Sequence, residues 1–239
     1  MKKALGFALC LLGTAAMILW GILWSVEYVG TDSQLYRKLQ FEARDDILEY
    51  AGLAEEDLVR INEALADCLQ GDEEALAGLE AEVFGQMQFV FNERELVHME
   101  DCAKLFELAR TVKQAAKIIG PLMLIIGFVL LKDRRRISLA VCLGPLGIVV
   151  PLAALAAWAA VDFNAAFNFF HEMLFTNDLW LLNPATDWLI RICPQSMFMN
   201  MGMRIGIMSL IFALAVPCVA LIVAWLLAKA KLLYNGDER

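Results

Sequence analysis

The chain has 239 residues, of which 60% are hydrophobic and 20% charged, with a mean hydropathy of +0.59 and a formal net charge of -8. A composition this apolar excludes an ordinary soluble domain of the same length. The acidic excess is local, since 21 of the 28 acidic residues fall between Glu27 and Glu107, against 8 of the 20 basic residues from Arg37 to Lys113. One acidic, water-facing segment therefore interrupts an otherwise apolar chain.

In chain order, Lys2 and Lys3 precede a first apolar run, about residues 4–26, long enough for a helix to cross a bilayer core. The run is longer than a signal-peptide core and ends in Trp20 and Trp24, which suit a membrane interface better than a cleavage site. It reads as an uncleaved anchor with its lysines in the cytoplasm. Residues 27–111 are polar, with Leu48, Leu58, Ile61, Leu65, Leu69 and Leu76 predicting one face of short amphipathic helices. Gly52, Gly71, Gly78 and Gly85 mark the breaks. Glu82 to Phe91 carries β-type residues and reads as a short strand or extended segment.

Asn92 offers an N-cap, and Glu93 and Glu95 suit the positive end of the helix that follows. That helix continues into the second apolar run, 112–131, with a kink expected at Gly120-Pro121. Residues 132–136, Lys132-Asp133-Arg134-Arg135-Arg136, form the densest basic cluster, hence a cytoplasmic loop. A third run, 137–161, leads to an aromatic segment, 162–204, and a fourth run, 205–227, precedes Lys229 and Lys231. The fold class is an all-α polytopic membrane protein of a single membrane domain. It has four transmembrane helices, both termini cytoplasmic, and extracytoplasmic segments at 27–111 and 162–204, the first of them helical.

Six cysteines carry little signal. Cys10, Cys142 and Cys218 fall in apolar runs, while Cys68, Cys102 and Cys193 lie outside them, so at most one outer disulfide is expected. No metal motif, phosphate-binding glycine loop, nucleophile elbow or internal repeat is present, and neither a metal nor a cofactor is expected.

Two histidines remain, and the topology puts both on the outer side. On a helix starting at Asn92, His98 shares a face with Arg94 and Glu95. It reads either as a solvated surface histidine among ion pairs or as a site residue. His171 is surrounded at helical spacing by Phe167, Phe170, Leu174 and Phe175, so its imidazole is expected among aromatic rings, where burial favours the neutral, proton-accepting form. The competing reading is a core histidine bonded to a backbone carbonyl. Asn177-Asp178-Leu179-Trp180 reads as a loop, and Asn183-Pro184 as the start of a short helix to Cys193. Trp180 and Trp188 suit a membrane-interface belt, and Asp178 and Asp187 suit caps or turns.

Phe91-Asn92-Glu93-Arg94-Glu95-Leu96-Val97-His98-Met99-Glu100-Asp101, with the pattern F-H-x-x-x-F-x-N-D-x-W-x-L-x-P-x-T-D-x-L-I from Phe170 to Ile190, resembles the lipoprotein intramolecular transacylase family of bacterial membrane proteins. The likeness runs over nearly the whole chain. Asn183, where an aspartate is expected before the proline, and Cys102, where an aliphatic residue is expected after Asp101, depart from the pattern and bear on packing more than on chemistry.

The resemblance implies transfer of the sn-2 acyl chain of a lipoprotein's diacylglyceryl-cysteine to that cysteine's own α-amino group. The partners are then diacylglyceryl-modified lipoproteins and membrane lipids, with no nucleic acid, in a bacterial cell membrane. His171 is expected as general base and then acid, and His98 as the residue that orients the ester or stabilises its oxyanion. Glu95 or Asp101 would hold the His98 ring and Arg94 would be a charge partner. Asn177 and Asp178 support the site, and Phe175 and Trp180 line the substrate's path. Two other classes fit the bare residues: a metal-dependent membrane hydrolase using His98, His171 and Glu95, and a non-enzymatic scaffold binding a partner through the acidic segment.

Overall fold

The computed structural model describes residues 1–72 and 74–236. In chain order the elements are α1 (Lys2–Gly30), α2 (Ser33–Ala43), α3 (Ile47–Ala51), α4 (Glu55–Gln70), the hairpin β1 (Glu80–Val83) and β2 (Gln86–Phe89), α5 (Glu93–Leu131), α6 (Arg134–Leu143), α7 (Leu146–Val161), α8 (Phe163–Leu174), α9 (Trp188–Ile192) and α10 (Gln195–Gly236). They form two compact units. One comprises Met1–Ser25, Thr111–Ala157 and Gly206–Arg239, the other Val26–Arg110 and Trp158–Ile205. Among the described residues, four helical stretches are long and apolar enough to cross a membrane: Lys2–Gly30, Glu93–Leu131, Arg134–Val161 and Gln195–Leu226.

The first unit is built from these apolar stretches. Hydrophobicity cannot drive helix against helix in lipid, so contact depends on shape. The antiparallel pair α1 and α5 meets along a seam of small residues. A β-carbon on Gly127 would stand 2.6 Å from Cys10 Sγ, and one on Gly13 would stand 2.9 Å from the Gly120 carbonyl oxygen. Gly6 and Gly13 on α1, and Gly120 and Gly127 on α5, are each two turns apart and so share a face. Pro121 does not end α5, which runs through it. The third apolar run is divided between α6 and α7, because Pro145 supplies no N–H to continue the ladder. Phe212 on α10 meets Trp20 and Trp24 edge-on at 5.6 and 5.7 Å.

The second unit has a conventional apolar core. On α4 the spacing of Leu58, Ile61, Leu65 and Leu69 buries one face completely, and at about 1.5 to 3 kcal/mol for each large side chain this face is a principal source of the unit's stability. Ile47, rather than Leu48, takes the interior position on α3. Buried Gln40 and Asn62 exchange two side-chain amide bonds of 2.9 and 2.8 Å, and Gln40 also donates to the Ile192 carbonyl at 3.1 Å. These bonds tie α2, α4 and α9 together without leaving a buried amide unsatisfied.

The segment expected to be a strand is an antiparallel hairpin, pairing Glu80 with Phe89 and Val83 with Gln86. Its two turn residues, Phe84 and Gly85, have φ of 49° and 80°, the left-handed pair that a two-residue hairpin turn demands. The helix expected from Pro184 is shorter and begins at Trp188, because Asn183 opens a turn instead. Its side chain accepts from Ala185 N–H at 3.0 Å, and its carbonyl accepts from Thr186 and Asp187.

Candidate active site

Both histidines lie in the second unit, His98 in the second turn of α5 and His171 in the last turn of α8. Their ring centroids are 6.2 Å apart. Each is buried, with exposures of 6% and 8%, so His98 is not a solvated surface residue. Phe175, just past the end of α8, lies against both imidazoles, 5.2 Å from His98 edge-on and 5.6 Å from His171 in a stacked arrangement. Phe167 packs on His171 at 4.0 Å and Trp180 at 4.9 Å.

The local helix geometry sets the state of His171. Its Nδ1 lies 2.8 Å from the Phe167 carbonyl oxygen, one turn earlier, and must donate there. A neutral ring then carries its lone pair on Nε2, which has no hydrogen-bond partner among the described residues. The backbone bond of the core-histidine reading is thus present, and it also presents the other nitrogen as an acceptor. Burial holds His171 below the ordinary histidine range, against the opposing pull of the Phe167 carbonyl. His98 is pushed down to about 4, first by burial and then by His171, with Asp101 opposing. Both rings are therefore neutral at physiological pH. His98 Nδ1 is buried without a hydrogen-bond partner among the described residues, while Nε2 lies 3.7 Å from Cys102 Sγ.

The expected supporting residues divide into two groups. Arg94, one turn before His98, donates to the Asp178 carbonyl and pairs with the Asp178 carboxylate at 3.4 Å. Asp101, on the same side of α5, accepts from the Asn177 side chain at 2.8 Å. These two ties hold the Asn177–Trp180 turn over the histidines. Within the turn, Asn177 caps Leu179 N–H at 3.1 Å and its carbonyl accepts from the Trp180 indole at 3.0 Å. Arg94, Asp101, Asn177 and Asp178 thus position the aromatic cover.

Glu95 does something different from what its spacing implied. Its carboxylate is fully buried and accepts from Leu189 N–H at 2.6 Å and Asn92 N–H at 2.9 Å, so neither oxygen holds the His98 ring or joins the two histidines as a metal ligand. Asn92 returns a bond from its side chain to Glu95 N–H at 3.1 Å, completing a capping box. Burial holds Glu95 above the ordinary carboxylate range, with these N–H donors opposing.

Asn92 also donates to Asp187 at 3.0 Å. Asp187 further accepts from Asn183 N–H at 2.6 Å and from the Thr186 hydroxyl at 2.9 Å. Burial pushes Asp187 up, but these three donors outweigh it and hold the carboxyl below its usual range. This network roots the start of α5 against α9. The Asn92-to-Glu95 spacing carried the signal for the box, whereas nothing local foretold Leu189 as the recipient of a carboxylate. Among the described residues, Cys68, Cys102 and Cys193 are not joined to one another by a disulfide.

Fold and site together define an all-α, membrane-integral protein carrying a paired-imidazole centre under an aromatic cover. Residues 11–198 match the family profile of the lipoprotein intramolecular transacylase Lit. The chain therefore belongs to the lipoprotein intramolecular transacylases, a family of membrane acyltransferases. No curated protein sequence matches the chain. Among solved structures, it is similar to the membrane-integral lipoprotein intramolecular transacylase Lit from Bacillus cereus, with a TM-score of 0.66 at 19% identity over 95% of this chain and 97% of that one. Two variants of that protein, with one histidine replaced by arginine or by alanine, give TM-scores of 0.61 and 0.59 at 19% and 20% identity, over 95% of this chain and 93% and 96% of theirs.

Proposed function

We propose that this enzyme moves the sn-2 acyl chain of a diacylglyceryl-cysteine at a lipoprotein N-terminus onto the α-amino group of the same cysteine, with His171 as general base and then general acid. The observation that carries the reading is the pair of buried imidazoles 6.2 Å apart, one with a free Nε2 and the other with a buried, unpartnered Nδ1. The amine nitrogen attacks the ester carbonyl carbon as His171 Nε2 takes a proton from it. The C–N bond forms, the bond from the acyl carbon to the glycerol oxygen breaks, and that oxygen receives the same proton. His98 steadies the ester or its oxyanion.

An α-ammonium group with a pKa of about 7.7 to 8.0 supplies neutral amine readily near pH 7. Both reacting groups belong to one molecule, so proximity supplies much of the acceleration and no nucleophilic serine or cysteine is needed. The substrate is membrane-anchored, which gives the aromatic cover of Phe175 and Trp180 a role in admitting acyl chains.

The basic loop and the lysines near both termini favour cytoplasmic termini and an extracytoplasmic site in a bacterial cell membrane. Reporters inserted near Asp72 and Asn183 should then read as extracytoplasmic, and one within Lys132–Arg136 as cytoplasmic. The transfer leaves mass unchanged, so fragmentation mass spectrometry of lipoprotein N-termini, from cells with and without the gene, tests the reaction directly. Two acyl groups still on glycerol beside an unacylated α-amine in gene-bearing cells overturn it.

A further inference from the structure

We propose that Cys102 is a positioning residue. Its thiol holds His98 in the tautomer protonated on Nδ1, so that His98 donates to the substrate while His171 accepts from it. The proposal rests on the two-histidine reading above and assigns the roles within it.

Cys102 follows His98 by one helical turn, which brings Sγ to 3.7 Å from Nε2. A neutral imidazole has one N–H and one lone pair, and a thiol meets it either as donor or as acceptor. Sulfur accepts poorly, whereas an imidazole lone pair accepts well, so the favoured pairing is S–H to Nε2. The thiol keeps its proton, because burial, helped by Asp101 and Cys68, pushes it up to about 12. The ring proton then sits on Nδ1.

That nitrogen is buried in a residue only 6% exposed and has no acceptor among the described residues. An orphaned buried donor is costly unless something arrives to accept from it. The ester carbonyl oxygen, which gains negative charge as the amine adds, is such an acceptor.

His171 is fixed in the matching sense, with Nδ1–H committed to Phe167 and Nε2 left open. With His98 in the other tautomer, both rings would present lone pairs and neither would offer an N–H to the oxyanion. Cys102, a departure from the family pattern that its position alone assigns to packing, thereby acquires a chemical role.

The test is nitrogen NMR of 15N-histidine-labelled enzyme in micelles, with wild type, Cys102→Ser and Cys102→Val. Wild type and Cys102→Ser should show His98 protonated at Nδ1 and unprotonated at Nε2, and Cys102→Val should show a mixture. In transacylation assays Cys102→Val should lower kcat roughly two- to tenfold at unchanged KM, the population range that one net hydrogen bond controls, and Cys102→Ser should restore it. A wild-type His98 protonated at Nε2 overturns the proposal, as does a Cys102→Val enzyme with unchanged tautomer or kcat. His98→Ala and His171→Ala examine the underlying reading separately, since full activity in them removes it whatever tautomer is found.

Discussion

The Glu95 carboxylate accepts a 2.6 Å hydrogen bond from the backbone N–H of Leu189, and so anchors the first turn of α9 to the first turn of α5. Glu95→Gln puts an amide N–H₂ where an acceptor is required, opposite Leu189 or Asn92. The expected loss is about 1.5 to 3 kcal/mol, the usual worth of a hydrogen bond to a charged partner. The rise in thiol labelling above that of the exposed Cys142 and Cys218 reads this, because Cys193 is only 6% exposed and labels on unfolding. Glu95→Gln should melt well below wild type, and an unchanged melting curve would show that the clasp contributes nothing.

Replacing either histidine should stop turnover and leave the fold standing. His171→Ala and His98→Ala are each expected to slow transacylation by about 10² to 10⁴, the range for lost general acid–base catalysis. The double variant should be little slower than the slower single one, as befits groups acting in one step. Near wild-type conversion by His171→Ala would remove it as the base.

Acid affects the rate and the stability through different groups. Below about pH 7.7 to 8.0 the substrate amine is increasingly protonated, so kcat/KM should fall about tenfold per unit. Burial depresses both histidines, so the decline should steepen only at pH values under 6.5.

The linkage of His98 has a definite sign. Between 6.5 and about 4 the unfolded chain binds a proton that the folded chain refuses, so stability rises with pH in that window and is lost as pH falls through it. The loss is on the order of 3 kcal/mol. Comparing wild type with His98→Gln across this window isolates it: the wild-type melting temperature should drop further on acidification than the variant's.

Phe175 touches both imidazoles and Trp180 covers one of them. Phe175→Ala and Trp180→Ala should cut transacylation by about 10- to 100-fold, the cost of a reacting group misplaced by about an ångström. Membrane insertion and melting should change little, because Phe175 and Trp180 are only half-buried. Two fully active variants would deny the aromatic cover any part in substrate use.

The features of this molecule legible in its sequence follow from composition and short-range spacing. Four apolar runs of spanning length announce four helices. The leucine spacing announces the buried face of α4, and the four glycines expected at breaks all take positive φ, Gly85 in the hairpin turn. Both histidines and their aromatic neighbours stood out because they are scarce and clustered. The pairings that build the site are another matter. Gln40 with Asn62, Asp101 with Asn177, and Glu95 with Leu189 join residues far apart in the chain, and no local pattern encodes which donor meets which acceptor. Helical spacing alone puts Glu95 near His98, whereas Leu189 of α9 and Asn92 at the start of α5 claim its two oxygens. Asn183-Pro184 is ambiguous for a local reason, because the same dipeptide serves a turn as well as a helix start.

The clasp between Glu95 and Leu189 also bears on how the enzyme is made. Glu95 and His98 are synthesised long before Leu189 and His171, with α5, α6 and α7 elongated in between. Until the later segment emerges, the Glu95 carboxylate has only the Asn92 N–H to bind, and His98 lacks its partner ring. On the proposed two-histidine mechanism a chain stopped early is therefore inert toward lipid esters, and the nascent polypeptide gains chemical competence only near the end of translation, together with the donor that lets its buried carboxyl settle.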